Sequence, residues 1–279
     1  MILPESFIFS QSNLQDYIDC PYRFYLRHIR HTKWPALVVG DALEFEKRGQ
    51  TGARFHRLIQ QYLLGVPEAR LTELISVDPE PDVVRWWDDF LTVIPPLLEG
   101  KHFVEMALGA SLAGQRLVAK YDLILIRPNG ALAIYDWKTS SRKIRKAWLL
   151  ERVQTRLYRL LLTLSGAALT SGDNITPEQI EMNYWFAPHP EAMVTLSYSQ
   201  EAFEADRDYF SDLIKEIQTR PGDAFTRTSD LSKCRFCVYR SHCDRGAAAG
   251  DLADLDDFSI AADATETELD FDQIAEIEF

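Results

Sequence analysis

The sequence contains few cysteines, and three of the four lie in one short segment. Cys20, Cys234, Cys237 and Cys243 are the cysteines of a 279-residue chain. Structural disulfides belong to oxidising compartments, whereas a sparse and clustered set of thiols is more typical of metal ligation in a reducing cytosol. We therefore expect these thiols to bind a metal rather than to cross-link the chain.

Long apolar runs and nucleotide-binding loops are also missing. No stretch of about 18 apolar residues occurs, and the first residues lack a basic region followed by an apolar segment. These absences predict a soluble, cytoplasmic protein with no membrane association. The pattern G-x-x-x-x-G-K-[ST] is absent too, so any unwinding of a duplex would have to come from a partner.

Basic residues are absent from the last part of the sequence, which accounts for most of the net charge of −12. Residues 251–279 hold 11 Asp or Glu and no Lys or Arg, and the rest holds 31 acidic and 30 basic residues. The acidic segment is typical of a disordered, solvating extension. Its last residues, from Leu269 to Phe279, are also similar to the acidic, Phe-terminated tips of bacterial single-strand-binding proteins, so docking to a partner is the other interpretation.

A local basic cluster makes nucleic-acid binding compatible with this composition. Its members suit phosphate contacts, although a solvated helix face is the alternative. The cluster comprises Arg142, Lys143, Arg145, Lys146, Arg152, Arg156 and Arg159.

Hydrophobic periodicity predicts an α/β fold with a central sheet flanked by helices. Helices are expected over 10–29, 43–64, 83–99, 145–164 and 200–219, with a loop over 66–82. Strands are expected over 103–110, 116–126, 131–137, 179–187 and 192–198, and Asn129-Gly130 favours a hairpin turn between the second and third. The expected domains are a helical region over 1–100, a core over 101–220, a cysteine segment over 221–250 and the acidic tail over 251–279.

That hairpin would place Asp122 and Asp136 on neighbouring strands, with Lys138 two residues further on. Paired carboxylates bind divalent cations, and a nearby lysine offsets charge that develops on a phosphoryl group. These three residues are therefore candidates for phosphodiester hydrolysis. Glu105, at the start of the first strand, is a possible additional acid.

Five elements in order resemble the PD-(D/E)xK nuclease superfamily, and within it the RecB-like branch with the RecB and AddB nuclease domains and the iron-sulfur nucleases of CRISPR systems. They are Gly-Ala-Arg-Phe-His over Gly52 to His56, Asp122 after Val-Ala-Lys-Tyr, Asp-Trp-Lys over Asp136 to Lys138, Gln-Thr-Arg-Leu-Tyr over Gln154 to Tyr158, and the split cysteine set. The segment from Ser10 to Tyr25 is similar to the family's helix leading to its first cysteine.

The resemblance implies a restriction-endonuclease-like core and a role for each matched residue. His56, Asp122, Asp136 and the Trp137 carbonyl would ligate Mn²⁺ or Mg²⁺, with Lys138 catalytic. Gln154 and Tyr158 would share one helix face and orient DNA or the lysine. Core packing of Tyr158 and backbone capping by Gln154 are the structural alternative.

The resemblance also implies that the four cysteines bind a 4Fe-4S cluster that joins the two ends of the core. A tetrahedral zinc site would accept the same C-x2-C pair and stays open. Either group would close a loop of roughly two hundred residues.

The function implied is that of a metal-dependent DNA nuclease, an exonuclease on single-stranded DNA or DNA ends. It would act in DNA repair, recombination or CRISPR adaptation, with a helicase or a CRISPR adaptation protein as possible partner. The alternative is a non-catalytic, DNA-binding iron-sulfur module that partners a helicase. Intact Asp122, Asp136 and Lys138 favour the enzyme.

Overall fold

The computed structural model describes residues 3–4, 6–33, 41–140, 145–170, 172 and 174–248, with the backbone alone over 41–46. Contacts divide these residues into two compact units. The larger unit comprises residues 46–110 and 119–207, and the smaller comprises the described residues among 3–45, 111–118 and 208–248. The four-domain division expected from the sequence stays a prediction.

The larger unit is built on a mixed β-sheet. β3 (Gln115–Ile126) is antiparallel to β4 (Leu132–Lys138), β4 is parallel to β5 (Ile180–Phe186), and β5 is antiparallel to β6 (Val194–Ser197). β2 (Lys101–Leu112) also pairs with β3. All seven residues of β4 are buried, as expected for a central strand covered on both faces. The predicted mixed sheet flanked by helices is therefore confirmed.

The hairpin between β3 and β4 closes where the sequence predicted. The Arg127 amide donates to the Ala131 carbonyl at 2.9 Å, and the Gly130 amide donates to the Arg127 carbonyl at 2.9 Å. Gly130 has φ 81°, a left-handed conformation that glycine adopts without steric cost. This turn fixes the register that brings Asp122 opposite Asp136.

Helices α3 (Asp41–Leu63), α4 (Glu68–Ile75) and α5 (Pro81–Val93) supply one layer of the larger unit. Phe55, Trp87 and Phe90 are fully buried and share a cluster with the sheet residues Trp137 and Trp185. Residues 66–82 were expected to form a loop, and this prediction is wrong because α4 lies within them. α4 has two buried residues, Leu71 and Ile75. A helix this short does not show a clear hydrophobic periodicity in the sequence.

The connection from β4 to β5 contains α6 (Lys146–Leu150) and α7 (Val153–Ser165). One helix was expected over 145–164, but Arg152 has extended backbone with ψ 139° and separates the two. α7 packs against the sheet face opposite to Trp137, where the Thr155 and Tyr184 hydroxyls lie 2.7 Å apart. The Tyr121 hydroxyl donates to the Tyr158 carbonyl at 2.8 Å.

The smaller unit gathers segments from both ends of the sequence. β1 (Ile8–Ser10) runs parallel to residues 116–118 of β3 and leads into α1 (Gln11–Asp19), which Ser10 caps. α2 (Pro21–Phe24) and a π-helical turn (Tyr25–Ile29) follow. The helix predicted over 10–29 is interrupted at Cys20, whose extended backbone precedes Pro21, a residue that disfavours helical conformation before it.

The remaining helices of the described chain lie towards its end or are short. α8 (Gln200–Thr219) begins in the larger unit and continues into the smaller one, and α9 (Arg240–Cys243) follows. Short 3₁₀ turns occur at Pro95–Leu97, Gly166–Leu169, Pro177–Gln179, Gly222–Ala224 and Leu231–Cys234. None of the helices described is both long and apolar enough to cross a membrane. The acidic segment over 251–279 lies outside the described residues.

Candidate active site

Four elements of the larger unit place the predicted active-site residues. The β3–β4 ladder ends at the pair Leu123–Tyr135, and the residues that follow this pair on the two strands are Asp122 and Asp136. Opposed residues of an antiparallel pair project to the same face, so the two carboxylates lie side by side. α3 contributes His56 and α7 contributes Gln154 and Tyr158.

Asp122 is held by a backbone amide and a histidine. Its Oδ2 accepts a hydrogen bond from the Trp137 amide at 3.0 Å and lies 3.5 Å from His56 Nδ1. The amide and carbonyl of one residue in an extended strand point to the same side, so the Trp137 carbonyl also faces the Asp122 side. The predicted ligands His56, Asp122 and Trp137 therefore come together.

Asp136 is buried and contacts two polar side chains. Gln154 Nε2 donates to its Oδ2 at 2.5 Å, and Lys138 Nζ lies 2.6 Å from its Oδ1. Lys138 and Asp136 therefore form a close and buried ion pair. Gln154 Oε1 also accepts from Lys138 Nζ at 3.2 Å. Gln154 thus bridges the carboxylate and the lysine.

The electrostatics of the site favour a bound cation. Burial raises the pKa of Asp136 to about 6 against the opposing charge of Lys138, and the negative charge of Asp122 adds to the rise. For Asp122 burial is outweighed by His56, which lowers its pKa. Burial lowers the pKa of His56, but Asp122 outweighs it and the pKa reaches about 9. Neighbouring buried carboxylates repel each other, and a cation between them relieves that repulsion.

Glu105 is a third acid near the carboxylates of Asp122 and Asp136. Its backbone has φ 53°, a strained left-handed conformation that is uncommon outside glycine and is concentrated at functional sites. Its carboxylate pairs with Lys120 at 2.8 Å. Burial raises the pKa of Glu105, and the negative charge of Asp122 adds to this rise. The carboxyl group of Glu105 is therefore near enough to Asp122 to interact with it electrostatically.

Tyr158 lies in the core beside these residues. Its ring centroid is 4.8 Å from that of Tyr121, and 7% of the residue is exposed. Burial raises the pKa of Tyr158, and the negative charge of Asp136 adds to this effect. Its phenol therefore remains protonated near the carboxylates.

The side chains fit a divalent cation by their chemistry, although they are not drawn together around one. Within the described ranges no group of three or more His, Cys, Asp or Glu side chains is arranged to hold a metal ion. The donor set nevertheless suits Mg²⁺ or Mn²⁺, since it offers two carboxylates, a backbone carbonyl and an imidazole.

The four cysteines lie in the smaller unit, where all four line one pocket. The Thr228 amide donates to Cys20 Sγ at 3.4 Å. Basic side chains surround the same pocket, and they are Arg23, Arg227, Lys233, Arg240 and Arg245. Positive charge and amide donors are the surroundings that stabilise thiolates, so this pocket fits a thiolate-bound metal group.

For two of the thiols, burial opposes ionisation more strongly than the basic residues favour it. Burial raises the pKa of Cys237 and outweighs the opposing charge of Arg23. Burial likewise raises the pKa of Cys243 against the charge of Arg227. A coordinated metal deprotonates such thiols.

The basic cluster predicted from the sequence is only partly available to phosphates. Arg142 and Lys143 lie outside the described residues, and Arg145 and Lys146 are exposed. Two further members of the cluster are held by contacts within the protein. The prediction that they are available to phosphates is therefore wrong. Arg156 Nε pairs with Asp206 at 2.5 Å, and Arg159 is buried and donates to the Ser197 carbonyl at 3.0 Å.

Two supporting contacts were missed in the sequence. Gly52 allows α3 to pass close to the end of β4, because a Cβ there would lie 3.0 Å from Thr139 Oγ1. Asp16 accepts from Arg27 and pairs with Arg23 beside the thiol pocket. The glycine four residues before His56 was a signal for the first contact, whereas nothing local to Asp16 indicated its partners.

Comparison with known proteins agrees with this architecture. None of the curated proteins compared matches the chain. A crystal structure of a protein from Eubacterium rectale, provisionally named an exonuclease, is 11% identical with a TM-score of 0.50 and covers 88% of this chain and 91% of its own. At that identity the likeness shows the fold alone. The structure of SSO0001, 11% identical over 90% of this chain and 91% of its own, has a TM-score of 0.37 and adds nothing to the assignment.

The family comparison covers both the sheet and the cysteine segment. The sequence model of the PD-(D/E)XK nuclease superfamily matches residues 8–244. These residues include every predicted site residue from His56 to Cys243 as well as Cys20. The chain therefore belongs to the PD-(D/E)XK nuclease superfamily.

Proposed function

We propose that the protein is a metal-dependent deoxyribonuclease, an exonuclease that hydrolyses phosphodiester bonds in single-stranded DNA or at DNA ends. The observation that carries this proposal is the bridge of Gln154 between Asp136 and Lys138, next to Asp122 and His56. A chain that had kept only the fold would not need to bury an ion pair and its bridging amide, because buried charges are costly to retain.

Mn²⁺ or Mg²⁺ is the cation proposed for this site, with His56, Asp122, Asp136 and the Trp137 carbonyl as its ligands. When bound, the ion would polarise a phosphoryl oxygen and lower the pKa of a water molecule. The charge of Asp122 contributes to the raised pKa of Glu105, and we propose Glu105 as an additional acid of the site.

The chain's own residues would perform the remaining tasks. Lys138 Nζ carries a positive charge that can stabilise the negative charge developing on the phosphoryl oxygens. Gln154 would fix the orientation of that ammonium group through its Oε1 and of Asp136 through its Nε2. The Trp137 amide would fix Asp122, and Tyr158 would pack behind Gln154 and position the helix that carries it.

The cysteine pocket is proposed to hold a 4Fe-4S cluster, as in the RecB-like branch. Four thiolates are the usual ligands of such a cluster, and four cysteines line this pocket. A zinc ion held by four cysteines is the alternative, and metal analysis of the purified protein distinguishes the two.

The proposed partners follow from the lack of a motor motif. A helicase that supplies single strands, or a CRISPR adaptation protein, would place the nuclease in DNA repair, recombination or spacer acquisition. A DNA-binding module without catalysis is the competing function, and the same cleavage experiment tests it.

The test is cleavage of end-labelled single- and double-stranded DNA by anaerobically purified protein with Mn²⁺ or Mg²⁺. Lys138→Ala is the control for contaminating nucleases, and we expect it to lower the rate about 100- to 1,000-fold. Products that shorten progressively from one labelled end would establish the exonuclease and its polarity. Equal cleavage by both proteins, or none by either while DNA still binds, would contradict the proposed activity.

A further inference from the structure

Trp148 is an exposed aromatic residue on the short helix α6. It has 37% of its surface exposed, while its neighbour Leu149 is fully buried. Leu149 thus anchors α6 to the larger unit, and Trp148 lies on the outer side. A tryptophan carries a large, flat apolar surface on which another planar group can stack.

Arg152 stacks on this ring and holds it. The guanidinium carbon of Arg152 lies 3.5 Å from the centroid of the Trp148 ring, well within the range of a cation–π interaction. The planar guanidinium also stacks well on an aromatic face. The ring is therefore held in place before any ligand arrives, which lowers the entropy lost on binding.

The stack lies next to the candidate active site along the chain. Arg152 is the residue before α7 and precedes Gln154 by two positions, so their Cα atoms are at most about 7 Å apart. Gln154 in turn contacts the Asp136 carboxylate at 2.5 Å. Trp148 is therefore joined to the candidate active site through the consecutive helices α6 and α7.

The charges around Trp148 suit a nucleic-acid strand. Arg145 and Lys146 are exposed immediately before it, and α6 contains no acidic residue. Proteins that bind single strands combine basic residues along the backbone path with aromatic residues on which bases stack. Both components occur here within the segment from Arg145 to Arg152, in which three basic residues outnumber the single acidic residue, the exposed Glu151.

We propose that Trp148, held by Arg152, is a stacking platform for one unpaired base of the single-stranded DNA that this site cleaves. The inference rests on the proposed nuclease function and narrows the proposed substrate to DNA with unpaired bases. In a duplex both faces of an internal base are covered by neighbouring base pairs, so the platform favours single strands and frayed ends over intact duplex.

The test measures DNA binding without cleavage, in EDTA, by fluorescence anisotropy of a labelled oligothymidylate. Trp148→Ala is expected to weaken binding about 5- to 100-fold, the range that loss of one base–aromatic stack produces. Trp148→Phe should retain most of the affinity because it keeps an aromatic face. Leu150→Ala is the matched control, since Leu150 is similarly exposed at 39% on the same helix.

A second oligonucleotide of equal length, with abasic residues in its central part, separates stacking from a loss of fold. Wild-type protein should bind it as weakly as Trp148→Ala binds oligothymidylate, and Trp148→Ala should lose nothing further on it. An equal loss on both oligonucleotides, or no loss on oligothymidylate, would overturn the platform.

The outcome is distinguishable from that of the nuclease proposal. Cleavage that depends on Lys138, together with unchanged binding by Trp148→Ala, would leave the nuclease intact and reject the platform. Base-dependent binding through Trp148 in a protein that cleaves no DNA would support the platform and reject the nuclease.

Discussion

Gln154 donates a hydrogen bond from Nε2 to Asp136 Oδ2 at 2.5 Å, and both residues are buried. The two belong to different elements, since Asp136 lies on β4 and Gln154 in the first turn of α7. Helix α7 thereby fixes the orientation of a carboxylate on the neighbouring strand. The same amide group accepts from Lys138 through its oxygen, so one side chain sets the positions of two others.

Replacing Gln154 should therefore impair the site without removing a proposed ligand. For Gln154→Ala we expect a 10- to 100-fold higher Mn²⁺ concentration at half-maximal activity, because partners behind metal ligands typically have effects of this size. The measurement is the rate of DNA cleavage against Mn²⁺ concentration. A protein that was only partly folded would lose maximal rate with an unchanged Mn²⁺ requirement. Gln200→Ala, at the exposed start of α8, is the control.

Gly52 provides a second test, which concerns the position of α3. In Gly52→Ala the new Cβ would lie 3.0 Å from Thr139 Oγ1, so α3 and the end of β4 must move apart slightly. We expect about a 10-fold loss of cleavage rate, since small displacements at an active site are costly. Unfolding free energy should change little, because alanine stabilises a helix by about 1 kcal/mol relative to glycine and offsets the strain.

The double variant Gly52→Ala/Thr139→Ala removes the oxygen that the new methyl group meets. Cleavage should recover towards the rate of the single variant Thr139→Ala. If the double variant is as impaired as the product of the two single effects, the contact between these residues does not explain the need for glycine.

The sequence was informative where a pattern is local or a chemical motif is continuous. The β4 strand with Asp136 and Lys138 was predicted within one residue of its bounds, because seven consecutive buried positions follow a strong turn signal. The helix carrying His56 was also predicted, since its apolar residues recur over several turns. In both elements the apolar residues of the element's own sequence indicate that it is buried.

The sequence was not informative where a contact joins distant residues or an element is short. Gln154 was expected on one face with Tyr158, but its bridge between Asp136 and Lys138 depends on how α7 lies on the sheet. Arg159 was assigned to a phosphate-binding cluster, yet it is buried beside Tyr198. A charge pattern along the chain does not reveal which of its members the tertiary fold covers.

The thiol pocket leads to a prediction about the metal and its effect on stability. Anaerobically purified protein should contain iron and sulfide in equal amounts, near four of each per chain, as a 4Fe-4S cluster requires. Cys20→Ser should lower the iron content and reduce the unfolding free energy by about 3 kcal/mol or more, because metal binding contributes to folding. Zinc without sulfide would replace the cluster assignment by a zinc site.

The matched control for this prediction is a nearby serine variant that leaves the residues lining the pocket untouched. Thr226→Ser keeps the backbone hydrogen bond from Tyr22 and should retain full iron content. A Cys20→Ser protein with unchanged iron and stability would show that this thiol is not a ligand.

Asp16 leads to a prediction for the pH dependence of folding. Burial raises the pKa of Asp16, but Arg23, a hydrogen bond from His28 and Arg27 outweigh it and lower the pKa from 3.8 to about 2. The ionised form is thus favoured in the folded protein, and the shift corresponds to about 2 kcal/mol of stability. Because the folded pKa lies below the unfolded one, this stabilisation is present above about pH 5 and is lost as the pH falls towards 2.

Asp16→Asn keeps the shape of the side chain and removes its charge. At neutral pH we expect an unfolding free energy lower by about 3–5 kcal/mol, since the buried Arg23 and Arg27 lose their counter-charge. The difference between wild type and variant should shrink by about 2 kcal/mol between pH 5 and pH 2, because wild-type Asp16 then becomes neutral as well. Urea unfolding of both proteins at several pH values measures this difference, in which the titration of all shared groups cancels. A difference that stays constant down to pH 2 would mean that these arginines do not lower the pKa of Asp16 in the folded protein.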